Sequence, residues 1–149
     1  MHSGWVQDQP TTPAELATRL GDAKFVSLVT YKRDGSAVAS PMWVAQDGPD
    51  LVAWTPVDSW KVKRVRRDPR VVLIRSTRTG KVDPVDPELH GTAVIEDAPN
   101  AVSAVEQLIR RKYGVEFTLI TTIEAVIARG RKPRVALRIS PQQVTSKNL

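Results

Sequence analysis

The sequence predicts an α+β protein, mainly β, built on an antiparallel sheet or small barrel. Three observations point there. β-rich segments are separated by tight-turn signals, first Asp34-Gly35 and then Asp47-Gly48-Pro49, and such turns join antiparallel neighbours. Strand and helix patterns come in runs, not in βαβ alternation, so a doubly wound parallel sheet is not expected. Eleven prolines and eight glycines in 149 residues argue against a helical bundle.

The elements follow in order. Met1–Pro10 reads as a flexible arm, with Trp5 as its one anchor. Thr12-Pro13-Ala14-Glu15 starts a helix: Thr12 caps it, Pro13 takes the first helical position, and Glu15 completes a capping box. Leu16 and Leu20 share a face, and Gly21 ends the helix. Lys24–Tyr31 is a strand rich in β-branched residues. The turn at Lys32–Gly35 leads to a second strand, Ser36–Ala45, interrupted by Pro41, which cannot donate to a ladder. A second turn leads to a third strand, Asp50–Thr55, and the three strands form an antiparallel meander.

Asp58–Arg67 is a short basic helix capped by Asp58 and stopped by Asp68-Pro69. Arg70–Thr77 and His90–Glu96 are the fourth and fifth strands, joined by a loop over Arg78–Pro87. Asp97-Ala98-Pro99 opens a longer helix with Val102, Val105, Leu108 and Ile109 at helical spacing, closed by Tyr113-Gly114. Glu116–Arg129 forms a further helix, and Pro133–Ser140 alternates as a sixth strand. A polar tail runs from Pro141. The expected organisation is an arm (1–11), one domain (12–140) and a tail (141–149).

Composition narrows the chemistry. With no cysteine, a disulfide scaffold, a thiolate metal site and a cysteine nucleophile are excluded. His2 and His90 have no second ligand at metal spacing, so no metal site is expected. Neither a phosphate-binding P-loop nor the dinucleotide glycine fingerprint occurs, and no serine sits in a nucleophile elbow. The carboxylate pairs Asp83 and Asp86, and Glu96 and Asp97, read as caps and turns. No signal peptide or membrane-spanning stretch is recognisable, which with the missing cysteines fits a cytoplasmic protein.

The net charge of +6 calls for an anionic partner. It is concentrated: between Ser59 and Val82 lie Lys61, Lys63, Arg64, Arg66, Arg67, Arg70, Arg75, Arg78 and Lys81, opposed only by Asp68, a local +8. Lys61 at a helix N-terminus is unfavourable for the helix unless an anion sits there. The free N–H groups of the first turn suit a phosphate. Nucleic acid is the weaker candidate, because the helix is short and Trp60 alone interleaves with the charge.

The residues Ser40-Pro41-Met42-Trp43, Trp54-Thr55, and Asp58-Ser59-Trp60-Lys61-Val62-Lys63 running on to Asp68-Pro69-Arg70-Val71 resemble the pyridoxamine 5′-phosphate oxidase-like family of flavin-binding proteins. The likeness covers about residues 12–140 and is nearer to the branch that uses the deazaflavin coenzyme F420. It implies a six-stranded antiparallel split β-barrel with peripheral helices, and a homodimer with cofactors at its interface. It also implies site residues. Ser59, Lys61 and Lys63 would hold the cofactor phosphate. Ser40, Pro41, Met42 and Trp43 would line the flavin ring through their backbone. Thr55 would lie near the ribityl chain or phosphate, and Lys81 would reach the site from its loop, across the dimer.

Trp60 stands where many FMN oxidases of the family carry arginine, which speaks against the pyridoxamine phosphate reaction. The implied activity is an F420-dependent oxidoreductase, acting as a reductase on an organic small molecule. FMN is the alternative cofactor, and a non-catalytic flavin- or haem-binding carrier the alternative class. Neither nucleic acid nor a membrane is expected as partner. The helical insert from Asp97 to Arg129 has no assigned role, and core packing competes with ring contact for Trp43 and Trp54.

Overall fold

The computed structural model describes residues 12–128 and 133–142, with the side chains of 123–128 excepted. The expected arm, its Trp5 and most of the expected tail lie outside the described residues. The elements are α1 (Pro13–Asp22), β1 (Val26–Tyr31), β2 (Ala37–Met42), β3 (Ala45–Asp47), β4 (Asp50–Pro56), α2 (Trp60–Arg67), β5 (Arg70–Arg75), β6 (Leu89–Glu96), α3 (Pro99–Tyr113), α4 (Val115–Ala128) and β7 (Arg134–Pro141).

All seven strands pair antiparallel in one sheet, in the order β2-β1-β5-β6-β7-β4-β3. The expected meander does not form. The second strand is split in two by Trp43-Val44: β2 pairs with β1, and β3 pairs with β4 at the opposite edge of the sheet. This correction raises the strand count from six to seven. It also dictates the curvature. Three Cα–Cα steps from Met42 to Ala45 reach about 11 Å at most. The edges of a flat seven-stranded sheet would lie about 29 Å apart. The sheet therefore curls until its edges meet, giving the expected split barrel.

Helix α3 holds the point where the chain changes edge. The Val44 N–H donates to Tyr113 Oη at 3.1 Å, and the Tyr113 hydroxyl donates to Lys24 O at 2.8 Å. Lys112 Nζ donates to Val44 O and Ala23 O at 2.6 Å each. Trp43 stacks on Tyr113, with centroids 4.3 Å apart. Burial pushes the Lys112 ammonium down to about 8 and the Tyr113 phenol up to about 12.

Strand alternation fills two cores. Leu51 and Ala53 of β4, Leu137 and Ile139 of β7, and Leu28 and Leu73 face the barrel interior, closed by Leu16 and Leu20 of α1. Val52 of β4 and Ala136 of β7 face outward, beneath Val105, Ile109 and Tyr113 of α3 and Phe117 of α4. Arg138, on the outer face of β7, meets Glu96 of β6 at 3.2 Å, Asp47 at 2.9 Å and Asp50 at 3.3 Å. Glu96 is thus a strand residue tied to an arginine, not the cap or turn expected of it.

Helix termini follow local chemistry, with two corrections. Thr12 caps α1, accepting from the Glu15 N–H at 3.1 Å while its hydroxyl donates to the Glu15 carboxylate. Gly21 does not end that helix. It lies inside α1, where a Cβ would come 2.8 Å from Gln46 Cβ, so the glycine permits close approach to β3. Ser59, not Asp58, caps α2, because its backbone is extended and its Oγ accepts from the Val62 N–H at 3.4 Å. Gly114 closes α3 at φ 56°, as its position after Tyr113 implied.

Replacing Tyr113 by Phe keeps the stacking on Trp43 but leaves the buried Val44 N–H without its acceptor. Urea unfolding should show a loss of about 1–3 kcal/mol with an unchanged m value.

Candidate functional site

A concave pocket of about 680 Å³ opens on the outer face of the barrel where β4 and β7 end. That size suits a cofactor or drug-sized molecule. Pro41, Met42 and Trp43 form one side, at the end of β2. Trp54, Thr55 and Pro56 of β4, Arg134 of β7 and Lys61 of α2 form the floor. Ile109 of α3 and Leu119, Ile120 and Thr121 of α4 form the roof.

The floor is electrostatically incomplete. Lys61 is half-buried, and no described carboxylate pairs with it. Burial, then the neighbouring charges of Arg64 and Arg134, hold its ammonium below the ordinary lysine range. Arg78 adds a further cation to the lining. An anion bound here would relieve the like-charge repulsion. Two polar atoms beside it are also incomplete. Thr55 Oγ1 and Trp54 Nε1 are buried and have no hydrogen-bond partner. Such orphans are rare in folded proteins.

Five of the nine predicted site residues line this pocket: Pro41, Met42, Trp43, Thr55 and Lys61. The other four do not. Ser40 sits one residue before the lining, on β2 opposite Leu28. Ser59 stands at the α2 N-cap, where its oxygen accepts from Val62. Lys63 turns outward, its Nζ 4.4 Å from the centroid of the exposed Trp60 ring. Lys81 lies in the β5–β6 loop, where its N–H donates to Thr77 Oγ1 at 3.1 Å and its side chain is exposed.

The basic stretch divides between structure and site. Arg64 Nε donates to Thr30 Oγ1 at 2.7 Å, Arg67 donates to the Tyr31 carbonyl, and Arg70 pairs with Asp68 at 2.7 Å. From the whole run, Lys61 and Arg78 alone line the pocket. Arg134 joins them from a distant strand, stacked 4.2 Å above the Trp54 ring. Phe117 stacks on Trp54 at 5.3 Å, so Trp54 belongs to the packing and offers the pocket its edge. Sequence reading missed Arg134 and the α4 residues. The signal for Arg134 would have been a cation opening a strand that pairs with Trp54-Thr55-Pro56.

Residues 12–148 match the family model of pyridoxamine 5′-phosphate oxidase. The chain belongs to the pyridoxamine 5′-phosphate oxidase family. Solved structures with the same fold agree. A conserved hypothetical protein of Mycobacterium tuberculosis is 23% identical over 91% of this chain and 84% of that one, with a TM-score of 0.66. An F420 reductase is 20% identical over 83% and 91%, with a TM-score of 0.54. HutZ, a haem storage protein of Vibrio cholerae, is 12% identical over 87% and 89%, with a TM-score of 0.61. No curated protein matches the chain. Within this pyridoxamine 5′-phosphate oxidase family member, no described helix is long and apolar enough to cross a membrane.

Lys61 should weaken the ligand-free protein. Lys61→Met is expected to raise the melting temperature at neutral pH by about 2–4 °C, the shift that about 1 kcal/mol produces in a chain of this size. A lysine whose folded pKa is lowered is penalised while protonated. Wild-type stability should therefore climb as pH rises from that lowered value toward about 10.4, the unfolded value. The gap between wild type and Lys61→Met should close over the same window in a pH series of thermal melts.

Proposed function

We propose that the protein is an F420-dependent oxidoreductase, working as a reductase on an organic small molecule. The observation that carries this reading is the floor of the pocket: a half-buried Lys61 with no carboxylate partner, crowded by Arg64 and Arg134, beside the unpartnered Thr55 hydroxyl. That set fits the phosphate and polyol part of an anionic flavin-type cofactor. Lys61, Arg134 and the first-turn amides of α2 hold the phosphate, and Thr55 donates to the chain next to it. Ser59 orders the α2 terminus through its capping bond.

β2 is an edge strand, so alternate backbone groups over Ser40–Trp43 have no ladder partner and suit the polar rim of a ring. When bound, the deazaflavin supplies two-electron hydride transfer. The protein binds and orients, and α4 covers the site against water.

F420 is favoured over FMN on two grounds. Trp60 is 70% exposed and outside the pocket lining, so this position contributes no cation to the floor. F420 also carries extra negative charge in its tail, and Lys63 and Arg66 are exposed cations on α2, the helix that carries Lys61. The haem-carrier reading is disfavoured because the described lining holds no histidine. His90 is exposed on β6, 3.3 Å from Glu88. A homodimer, with Lys81 contributed across its interface, completes the proposal.

Fluorescence titration should show F420 binding at micromolar or tighter dissociation constants, and FMN at least about tenfold weaker. Lys61→Ala should cost at least about tenfold, or about 1.4 kcal/mol. Affinity should fall as pH rises and Lys61 loses its proton, and Lys61→Arg should flatten that fall. An absence of F420 binding to the wild type would sink the proposal.

A further inference from the structure

The pocket has two unlike sides. Its cationic side is Lys61, Arg134 and Arg78, all of which an anionic cofactor would engage. The α3–α4 side is different. There Ile109 is buried, while Leu119 and Ile120 stand 59% and 43% exposed although they line a concave wall. Phe117, one helical turn away, is buried against Trp54 and anchors α4 to the barrel. The exposed pair is thus held over the pocket by a helix that is already anchored elsewhere.

The charges on this side cancel. Lys24 and Glu116, the ionisable groups of the lining here, pair with each other at 2.9 Å. The Thr121 hydroxyl is spent on Phe117 O at 2.8 Å. Among the described lining residues of this side, no unpaired charge or free hydroxyl remains to recognise a polar group. Trp43 has one face covered by Tyr113, so one face and the rim remain for a ligand. Aliphatic side chains and an indole face in one lining suit a flat apolar body.

We propose that Ile109, Leu119 and Ile120, with Trp43 of the same lining, form the substrate subsite, and that its occupant is an uncharged, flat, apolar molecule. This assigns a role to the helical insert, and it rests on the reading of the cationic side as the cofactor site. An anionic substrate is disfavoured, because the cations that would attract it are already engaged.

A matched pair of ligands tests this: N-phenylnaphthylamine, which is neutral, and anilinonaphthalene sulfonate, the same skeleton with a sulfonate. Binding is measured by equilibrium dialysis, with and without saturating F420. The neutral ligand should bind in both conditions within about twofold, and the sulfonate should bind at least about tenfold weaker once F420 is present. The double variant Leu119→Asp, Ile120→Asp should weaken the neutral ligand at least about tenfold and leave F420 affinity unchanged. Both positions are exposed, so the fold should survive, and circular dichroism checks that it does. Lys61→Ala should do the reverse, sparing the neutral ligand. Equal affinity for the neutral ligand in wild type and double variant, or equal affinity for the two ligands in the F420-loaded protein, would overturn the subsite. If F420 fails to bind but the neutral ligand still depends on Leu119 and Ile120, the cofactor reading falls and the subsite stands.

Discussion

The fold depends on how the chain crosses from one sheet edge to the other at Val44. Two residues, Trp43 and Val44, separate a strand paired with β1 from a strand paired with β4. A backbone that leaves the ladder in the interior must find other partners. Here they come from the end of α3: Tyr113 takes the Val44 N–H, and Lys112 bonds the Val44 carbonyl. The same crossover closes the barrel and turns Trp43 toward the pocket. The helical insert is therefore part of the barrel's closure as well as the roof of the site.

Charge follows a second constraint. The cations of a basic surface stretch need solvent or partners, and several in and after α2 have partners. Arg64 and Arg67 spend their guanidinium groups on β1, and Arg70 on Asp68. Lys61 is the exception, since burial and cationic neighbours both disfavour its charge. Perturbed charges of this kind cluster at functional sites. The Thr55 hydroxyl of the same lining is likewise buried without a hydrogen-bond partner, and the proposed cofactor would supply one.

What was legible in the sequence was local. The Thr12 cap, the Asp34-Gly35 turn, the α3 stripe and the Gly114 terminus are written within a few residues, and each formed as expected. Lys61 was legible because a cation in a first helical turn is anomalous by itself. The crossover was hidden, because Ser36–Ala45 reads as one strand and its anchor is 69 residues away. The basic run overstated the site for a similar reason, since sequence counts charges but does not show which are consumed by β1. Arg134 was invisible as a site residue until β7 paired with β4.

Under the proposed function, the cationic floor holds the phosphate of an anionic flavin-type cofactor. A crystal structure of the protein with F420 tests it most directly. Phosphate oxygens are expected within hydrogen-bond distance of Lys61 Nζ and the first-turn N–H groups of α2, with the Thr55 hydroxyl bonded to the adjoining chain. A cofactor whose phosphate lies elsewhere, with Thr55 Oγ1 still unpartnered, would contradict it.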